Sequence, residues 1–261
     1  MAELETKTIT VTGTEVAYRR GGSGPVVLFL HGAGGAGTAV PFCTGLADSC
    51  DVILPDHPGF GASATPEWLD TIHDMAFFYL DFLEALDLWD VHVVGQSLGG
   101  WIALEAAVRA TERIGRLTLV GAAGINLPDV KKGDLFMWDK ETRYRNMIHD
   151  SALAEKLLAM PTTPEQDEIA IKNEFTTARL AWEPRFFDPH LYKWLHRITV
   201  PTQVVWGDDD PIFPLPYGEA LAARIPGAQL HVIAACGHLP QIEHPAQMSG
   251  LITNFTQGGA S

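Results

Sequence analysis

Val91-His92-Val93-Val94-Gly95-Gln96-Ser97-Leu98-Gly99-Gly100-Trp101 runs from an apolar stretch, through a glycine-flanked serine, into a segment of helical composition. Residues 91–94 read as a strand buried on both faces, because a parallel strand covered by helices on each side becomes a continuous apolar run. Residues 98–109 read as a helix. A serine at so tight a strand-to-helix turn needs strained backbone angles and small residues two positions either side, which Gly95 and Gly99 supply. Gly100 lets the helix pack closely on the sheet. The turn exposes the Ser97 hydroxyl at a helix N-terminus, where free backbone N–H groups favour developing negative charge. G-x-S-x-G alone is a weak pattern. The strand–turn–helix setting lifts it above a serine merely tolerated in a Gly-rich turn.

The same alternation extends both ways along the chain. Residues 8–11 and 15–18 alternate around Gly13 and read as a hairpin. Apolar runs at 26–30, 51–54, 116–120, 203–206 and 229–233 read as further strands, and helices are predicted over 70–87, 217–224 and 246–254. Strands alternating with helices imply the α/β class, a mostly parallel sheet covered on both faces. Residues 124–197 interrupt the alternation with helical sequence, prolines that include Pro161, Pro164, Pro184 and Pro189, and the bulky Phe136, Met137, Trp138, Trp182, Phe186 and Phe187. A structureless loop of that length is improbable in a compact domain. The predicted organisation is a core of 1–123 and 198–261 with 124–197 inserted as a helical cap, or lid. Its aromatics serve either as cap core or as pocket lining, and spacing does not separate the two.

Composition narrows the function. The 261 residues carry 18 Lys+Arg against 32 Asp+Glu, a formal charge of −14, with 46% hydrophobic and 19% charged residues. That is ample core material, and the acidic balance excludes nucleic acid as a partner. No apolar run is long enough to span a membrane. The start, Met1 to Lys7, lacks a basic region followed by an apolar one, so no secretory leader is expected. Cys43, Cys50 and Cys236 form no CxxC pair, and reduced thiols in a cytoplasmic protein are expected. Metal-ligand spacings are missing, and neither metal nor cofactor is expected. The expected partner is a small-molecule substrate.

A serine hydroxyl needs a base to take its proton, and the base needs a carboxylate to fix its tautomer. Loops at the C-terminal ends of parallel strands open on one rim. His238, in Cys236-Gly237-His238-Leu239-Pro240, follows strand 229–233 and so reaches the rim that carries Ser97. Asp208-Asp209-Asp210 follows strand 203–206 at the same rim. Mutual repulsion allows one of the three to be buried and ionised, and the residues alone do not say which. His31-Gly32-Ala33-Gly34-Gly35-Ala36-Gly37 follows strand 26–30, and its N–H groups, with that of Leu98, can hold an oxyanion. The same glycines formally match a dinucleotide fingerprint with Asp56 downstream. That hydride-transfer reading leaves Ser97 and His238 unexplained.

These pieces, with Asp56-His57-Pro58-Gly59-Phe60-Gly61-Ala62-Ser63 and Trp206-Gly207, occur in an order that resembles the α/β-hydrolase superfamily over nearly the whole chain, in its lidded serine-hydrolase branch. The resemblance implies Ser97 as nucleophile, His238 as base, Asp210 as the acid, and Ala33 and Leu98 as oxyanion donors. Ser97, where haloalkane dehalogenases and epoxide hydrolases carry aspartate, sets those branches aside. The HGAGGAG loop and Cys236-Gly237-His238 are similar to hydrolases that cleave carbon–carbon bonds in ring-fission products. Those relatives usually carry Asn where this chain has Gln96, and a lid arginine for which Arg179 is a candidate. Because of the Gln96 departure, cleavage of a carboxylic ester of a small, largely apolar substrate is expected first. Carbon–carbon cleavage is the alternative, and lactone cleavage or a non-catalytic receptor role follow. Gly34, Gln96, Trp138 and Trp182 are expected to contact the substrate.

Overall fold

The computed structural model describes residues 3–258; Met1 and Ala2 of the N-terminal stretch read above, and residues 259–261, lie outside them. Eight strands form one sheet: β1 (Glu5–Val11), β2 (Thr14–Gly21), β3 (Val26–Leu30), β4 (Asp51–Pro55), β5 (Val91–Gln96), β6 (Ile114–Val120), β7 (Thr202–Gly207) and β8 (Gln229–Ile233). Their spatial order is β1-β2-β4-β3-β5-β6-β7-β8. Only β2 runs antiparallel to its neighbours β1 and β4; every pairing from β4 to β8 is parallel.

Alternation along the strands assigns each side chain to a face. Leu28, Leu30, Val91, Val93, Leu117, Leu119, Val204 and Trp206 pack on one side. They meet α2 (Ile72–Ala85), α3 (Leu98–Arg109) and α8 (Pro216–Arg224) there. Val27, Phe29, Val94, Val120, Val205 and Ile233 face the other side. They pack against α1 (Val40–Leu46) and α10 (Pro245–Thr256), which follows the short α9 (Pro240–Glu243). The strands are apolar in both phases because helices cover both faces. Helix α2 starts two residues later than predicted, because Thr71 and Asp74 form a capping box that satisfies the first free N–H groups. Helix α1 carries no helical signal in the sequence: it is only about two turns long, with Pro41 in its first turn, behind a glycine-rich loop.

Between β6 and β7 lie α4 (Lys140–Met147), α5 (Ser151–Leu158), α6 (Pro164–Ala181) and the short α7 (Leu191–Trp194). Helix α6 buries Asn173, Thr176, Thr177, Leu180 and Ala181. Their i, i+3, i+4, i+7, i+8 spacing is one helical stripe, polar at one end and apolar at the other. Among the described residues no helix is long and apolar enough to cross a membrane.

Candidate active site

The turn after β5 holds Ser97 at φ 53°, ψ −114°, a region that costs a non-glycine residue about 1–3 kcal/mol. Tight packing enforces it. A Cβ on Gly99 would lie 2.1 Å from the Leu30 carbonyl oxygen, so only glycine lets α3 start this close to β3. The Ser97 N–H donates to Val120 O at 2.9 Å, and its carbonyl accepts from Ala123 N–H at 3.0 Å. Both ends of the turn are thus tied to β6 and the residues after it. Leu98 is the first helical residue, so its N–H has no acceptor within α3.

Parallel strands bring the loops after β3, β5, β6, β7 and β8 to one rim. His238 Nδ1 lies 2.8 Å from Asp210 Oδ2, with both side chains buried. A carboxylate only accepts, so Nδ1 carries the proton and Nε2 the lone pair. Nε2 is buried and has no hydrogen-bond partner among the described residues, the Ser97 hydroxyl included. A long serine–histidine contact is common before substrate tightens it. Asp210 Oδ1 accepts from Ile212 N–H (2.8 Å) and Phe213 N–H (3.0 Å), which fixes the carboxylate plane. Phe213 packs on the His238 ring, with centroids 5.8 Å apart.

Asp208 and Asp209 are exposed and Asp210 is buried. Asp208 Oδ1 accepts from Cys236 N–H, and Asp209 pairs with the exposed His149. The loop carrying His238 is pinned further by Glu243, which accepts from Gly237 N–H at 2.7 Å, and by the His238 N–H, which donates to Met147 O on α4. Gly121, just after β6, had escaped notice: a Cβ there would stand 3.2 Å from His238 Nδ1 and 3.3 Å from Asp210 Oδ2. The small-residue run Gly121-Ala122-Ala123-Gly124 after a buried strand was the available signal.

Gln96 is buried beside the serine, and its Nε2 has no hydrogen-bond partner among the described residues. Gly34 lies in the loop after β3, its carbonyl accepting from Asn173 Nδ2. Trp138 is half-buried and packs over Gly133. Trp182 is 49% exposed, with Arg185 over its ring at 4.0 Å and Phe136 against its edge. Both tryptophans thus contact residues of 124–197. Arg179 points outward to Asp70 Oδ1 (2.7 Å) and Glu67 O, so it is not gathered with Ser97 and His238.

Asp56 does not reach toward a ribose as the dinucleotide reading requires. It is buried, accepts from Ala62 N–H at 3.0 Å and pairs with Arg19. One group of possible metal ligands, His73, Glu105 and Asp188, comes within 4.8 Å. Glu105 is already held by Arg109 and Trp101, and it sits eight residues along α3 from Ser97, about 12 Å by helical rise.

Two histidines that do not face Ser97 brace the site. His31 Nδ1 donates to Gly32 O at 2.7 Å while its Nε2 accepts from His57 N–H at 3.2 Å. His57 Nε2 donates to His31 O, and its Nδ1 accepts from the Tyr79 hydroxyl. Each ring therefore has one donor and one acceptor engaged, which requires both to be neutral. Burial lowers the pKa of His31 to about 4, that of His57 well below its usual value, and that of His92 to about 3. Below pH about 6.5 the unfolded chain binds these protons and the folded chain does not, so stability falls with falling pH. Each histidine adds up to about 1.4 kcal/mol per pH unit between its folded and unfolded values. The thermal midpoint is expected to drop steadily from pH 7 to pH 4.5; a flat profile would contradict the neutral-ring assignment.

Comparison with known proteins agrees with this geometry. The family model described as alpha/beta hydrolase fold matches residues 25–245. The chain belongs to this family, and it is a hydrolase. It is 31% identical over 265 residues to the 2-hydroxymuconate semialdehyde hydrolase of Pseudomonas sp. (strain CF600), covering 95% of this chain and 92% of that one. It is 32% identical to the 2-hydroxy-6-oxo-6-phenylhexa-2,4-dienoate hydrolase of Comamonas testosteroni, covering 92% and 90%. Among solved structures, a meta-cleavage product hydrolase from Pseudomonas fluorescens IP01 superposes with a TM-score of 0.80 at 26% identity, covering 97% and 98%.

Proposed function

We propose that this chain hydrolyses a carbon–carbon bond in a 2-hydroxy-6-oxo-2,4-dienoate. The observation that carries the reading is the likeness, over nine-tenths of both chains, to hydrolases named for such substrates. Ester cleavage, expected first from the sequence, gives way to the alternative. The Gln96 departure that had favoured esters still leaves a buried amide donor beside the serine, and its unpartnered Nε2 supports an acceptor on the substrate.

In the proposed mechanism His238 takes the Ser97 proton, and Ser97 Oγ attacks the C6 carbonyl. The N–H groups of Ala33 and Leu98 hold the tetrahedral oxyanion. Cleavage runs from the keto tautomer, in which the C2 hydroxyl proton has moved to C5, because the electron pair of a bond to an sp2 C5 could not enter the π system. The C5–C6 bond then breaks. Its electron pair passes into the C3=C4–C2=O unit as a dienolate, His238 returns the proton to the C2 oxygen of that fragment, and the acyl group stays on Ser97. Water, deprotonated by His238, releases the acid. Asp210 holds the His238 tautomer throughout. Residues 124–197 act as the cap over this site, with Gly34, Gln96, Trp138 and Trp182 as proposed substrate contacts. No step needs a metal or cofactor.

The test compares kcat/KM for 2-hydroxy-6-oxo-6-phenylhexa-2,4-dienoate, 2-hydroxymuconate semialdehyde and p-nitrophenyl butyrate. At least one dienoate is expected to exceed the ester by about a hundredfold or more, the scale on which a built polar site rejects a substrate lacking its acceptors. An ester turned over faster than both dienoates would return the ester reading to first place.

A further inference from the structure

Side chains hold three successive carbonyls of the loop after β3, one from the loop's own first residue and two from outside it. Gly32 O accepts from His31 Nδ1 at 2.7 Å, Ala33 O from Thr177 Oγ1 at 3.4 Å, and Gly34 O from Asn173 Nδ2 at 3.2 Å. The last two donors come from α6, between β6 and β7. A fourth bond links these contacts: Gly35 N–H donates to Gly32 O at 3.1 Å. Peptide units are planar and trans, so fixing a carbonyl fixes the N–H on the far side of the same unit. Asn173 therefore sets the Gly34–Gly35 peptide, whose N–H sets the Gly32–Ala33 peptide, whose N–H belongs to Ala33.

Asn173 fits nowhere else as well. It is buried, and its Oδ1 accepts from Gly61 N–H at 2.9 Å while Nδ2 serves Gly34 O. Flipping the amide would set donor against donor and acceptor against acceptor. Gly35, at φ +90°, makes the room: a Cβ there would stand 2.3 Å from Asn173 Nδ2. Neighbouring contacts of α6 reach a different loop. Thr176 Oγ1 donates to Gly59 O, and Lys172 Nζ to Gly61 O and Ser63 O. Those bonds seat the helix without touching the carbonyls of 32–34.

We infer that Asn173 is a positioning residue that aims the Ala33 N–H at the oxyanion through the Gly34–Gly35 peptide, and that Thr177 supports it by holding the Ala33–Gly34 peptide between the two units so fixed, so that seating of α6 and completion of the oxyanion site are one event. This rests on the proposed roles of Ser97 and Ala33 and does not depend on which bond is cleaved. A helix that lifted away would leave the serine present but its oxyanion donor unaimed.

The experiment measures kcat and KM for p-nitrophenyl butyrate, and inhibition by phenylboronic acid, which forms a tetrahedral adduct on the serine oxygen. Asn173→Asp keeps the acceptor for Gly61 N–H but faces Gly34 O with an oxygen. It is expected to lower kcat about tenfold to a hundredfold with KM changed little, and to weaken the boronate by a matching factor, since a misaimed donor costs part of what a removed one does. Thr177→Val is expected to do the same more weakly, and Thr177→Ser to restore kcat. Thr176→Val loses a comparable bond from the same helix and is expected to leave kcat and boronate affinity within about threefold. Equal losses in Thr176→Val and Asn173→Asp would overturn the inference in favour of general helix seating. Unchanged kcat and boronate affinity in Asn173→Asp would overturn it outright. If Asn173→Asp does not fold, the Thr177 pair decides: no loss in Thr177→Val, or none recovered in Thr177→Ser, overturns it. Ser97→Ala, assayed alongside, separates the two levels: retained turnover there sinks the nucleophile reading and this inference with it.

Discussion

Ser97→Ala is expected to lower kcat by at least about 10³-fold on any substrate the protein turns over, because loss of the proposed nucleophile leaves only the proposed oxyanion donors and binding to act. The same change is expected to leave the thermal midpoint nearly in place. Among the described residues no hydrogen bond of the Ser97 side chain supports the turn: the N-terminus of α3 has no side-chain cap, and the bonds that tie the turn to β6 and beyond use the Ser97 backbone. Ser97→Gly sharpens the point. At φ 53°, ψ −114° glycine removes strain that alanine keeps, so Ser97→Gly is expected to be equally inactive and more stable than Ser97→Ala by about 1 kcal/mol. A site whose residue type costs stability is kept for its chemistry. Retained turnover in Ser97→Ala would remove the serine from the mechanism; a large fall in thermal midpoint would make it structural.

Much of this architecture was legible in the residues. The apolar run Val26–Leu30, and Val91 to Val94 with His92 alone breaking it, read as doubly covered strands because both phases of the pleat are buried, and the structure places them at the centre of the sheet. The glycines around Ser97 announced the close approach of α3. What was hidden depends on contacts across long separations. Repulsion predicts that one of Asp208, Asp209 and Asp210 turns inward, but the partners that sort them are Cys236 N–H, His149 and His238, between 28 and 60 residues away. Asn173 and Thr177 look like the polar side of an amphipathic helix, and their burial follows from the loops they meet. Arg179 shows how narrow the margin is. It lies one residue before the buried Leu180, and that single step of about 100° turns it toward Asp70 and solvent.

Asp210→Asn is expected to cost about 10⁴-fold in kcat, with Asp208→Asn and Asp209→Asn within a few-fold of the parent. The reason lies in what holds each oxygen. Asp210 Oδ1 accepts two backbone N–H groups, from Ile212 and Phe213, so an asparagine must place its carbonyl oxygen there. Its NH2 then faces His238 Nδ1 where Oδ2 stood at 2.8 Å. A donor in that position forces Nδ1 to accept and puts the imidazole proton on Nε2, the atom proposed to take the serine proton. The geometry survives while the tautomer inverts. At Asp208 the single acceptor contact to Cys236 N–H is kept by asparagine, and at Asp209 the change removes only an exposed pair with His149. The loss at Asp210 should therefore fall on kcat for ester and dienoate alike, with KM and thermal midpoint nearly unchanged. Losses of similar size at all three aspartates would show that the cluster acts through loop structure and would sink the assignment of Asp210 as the group that orients His238.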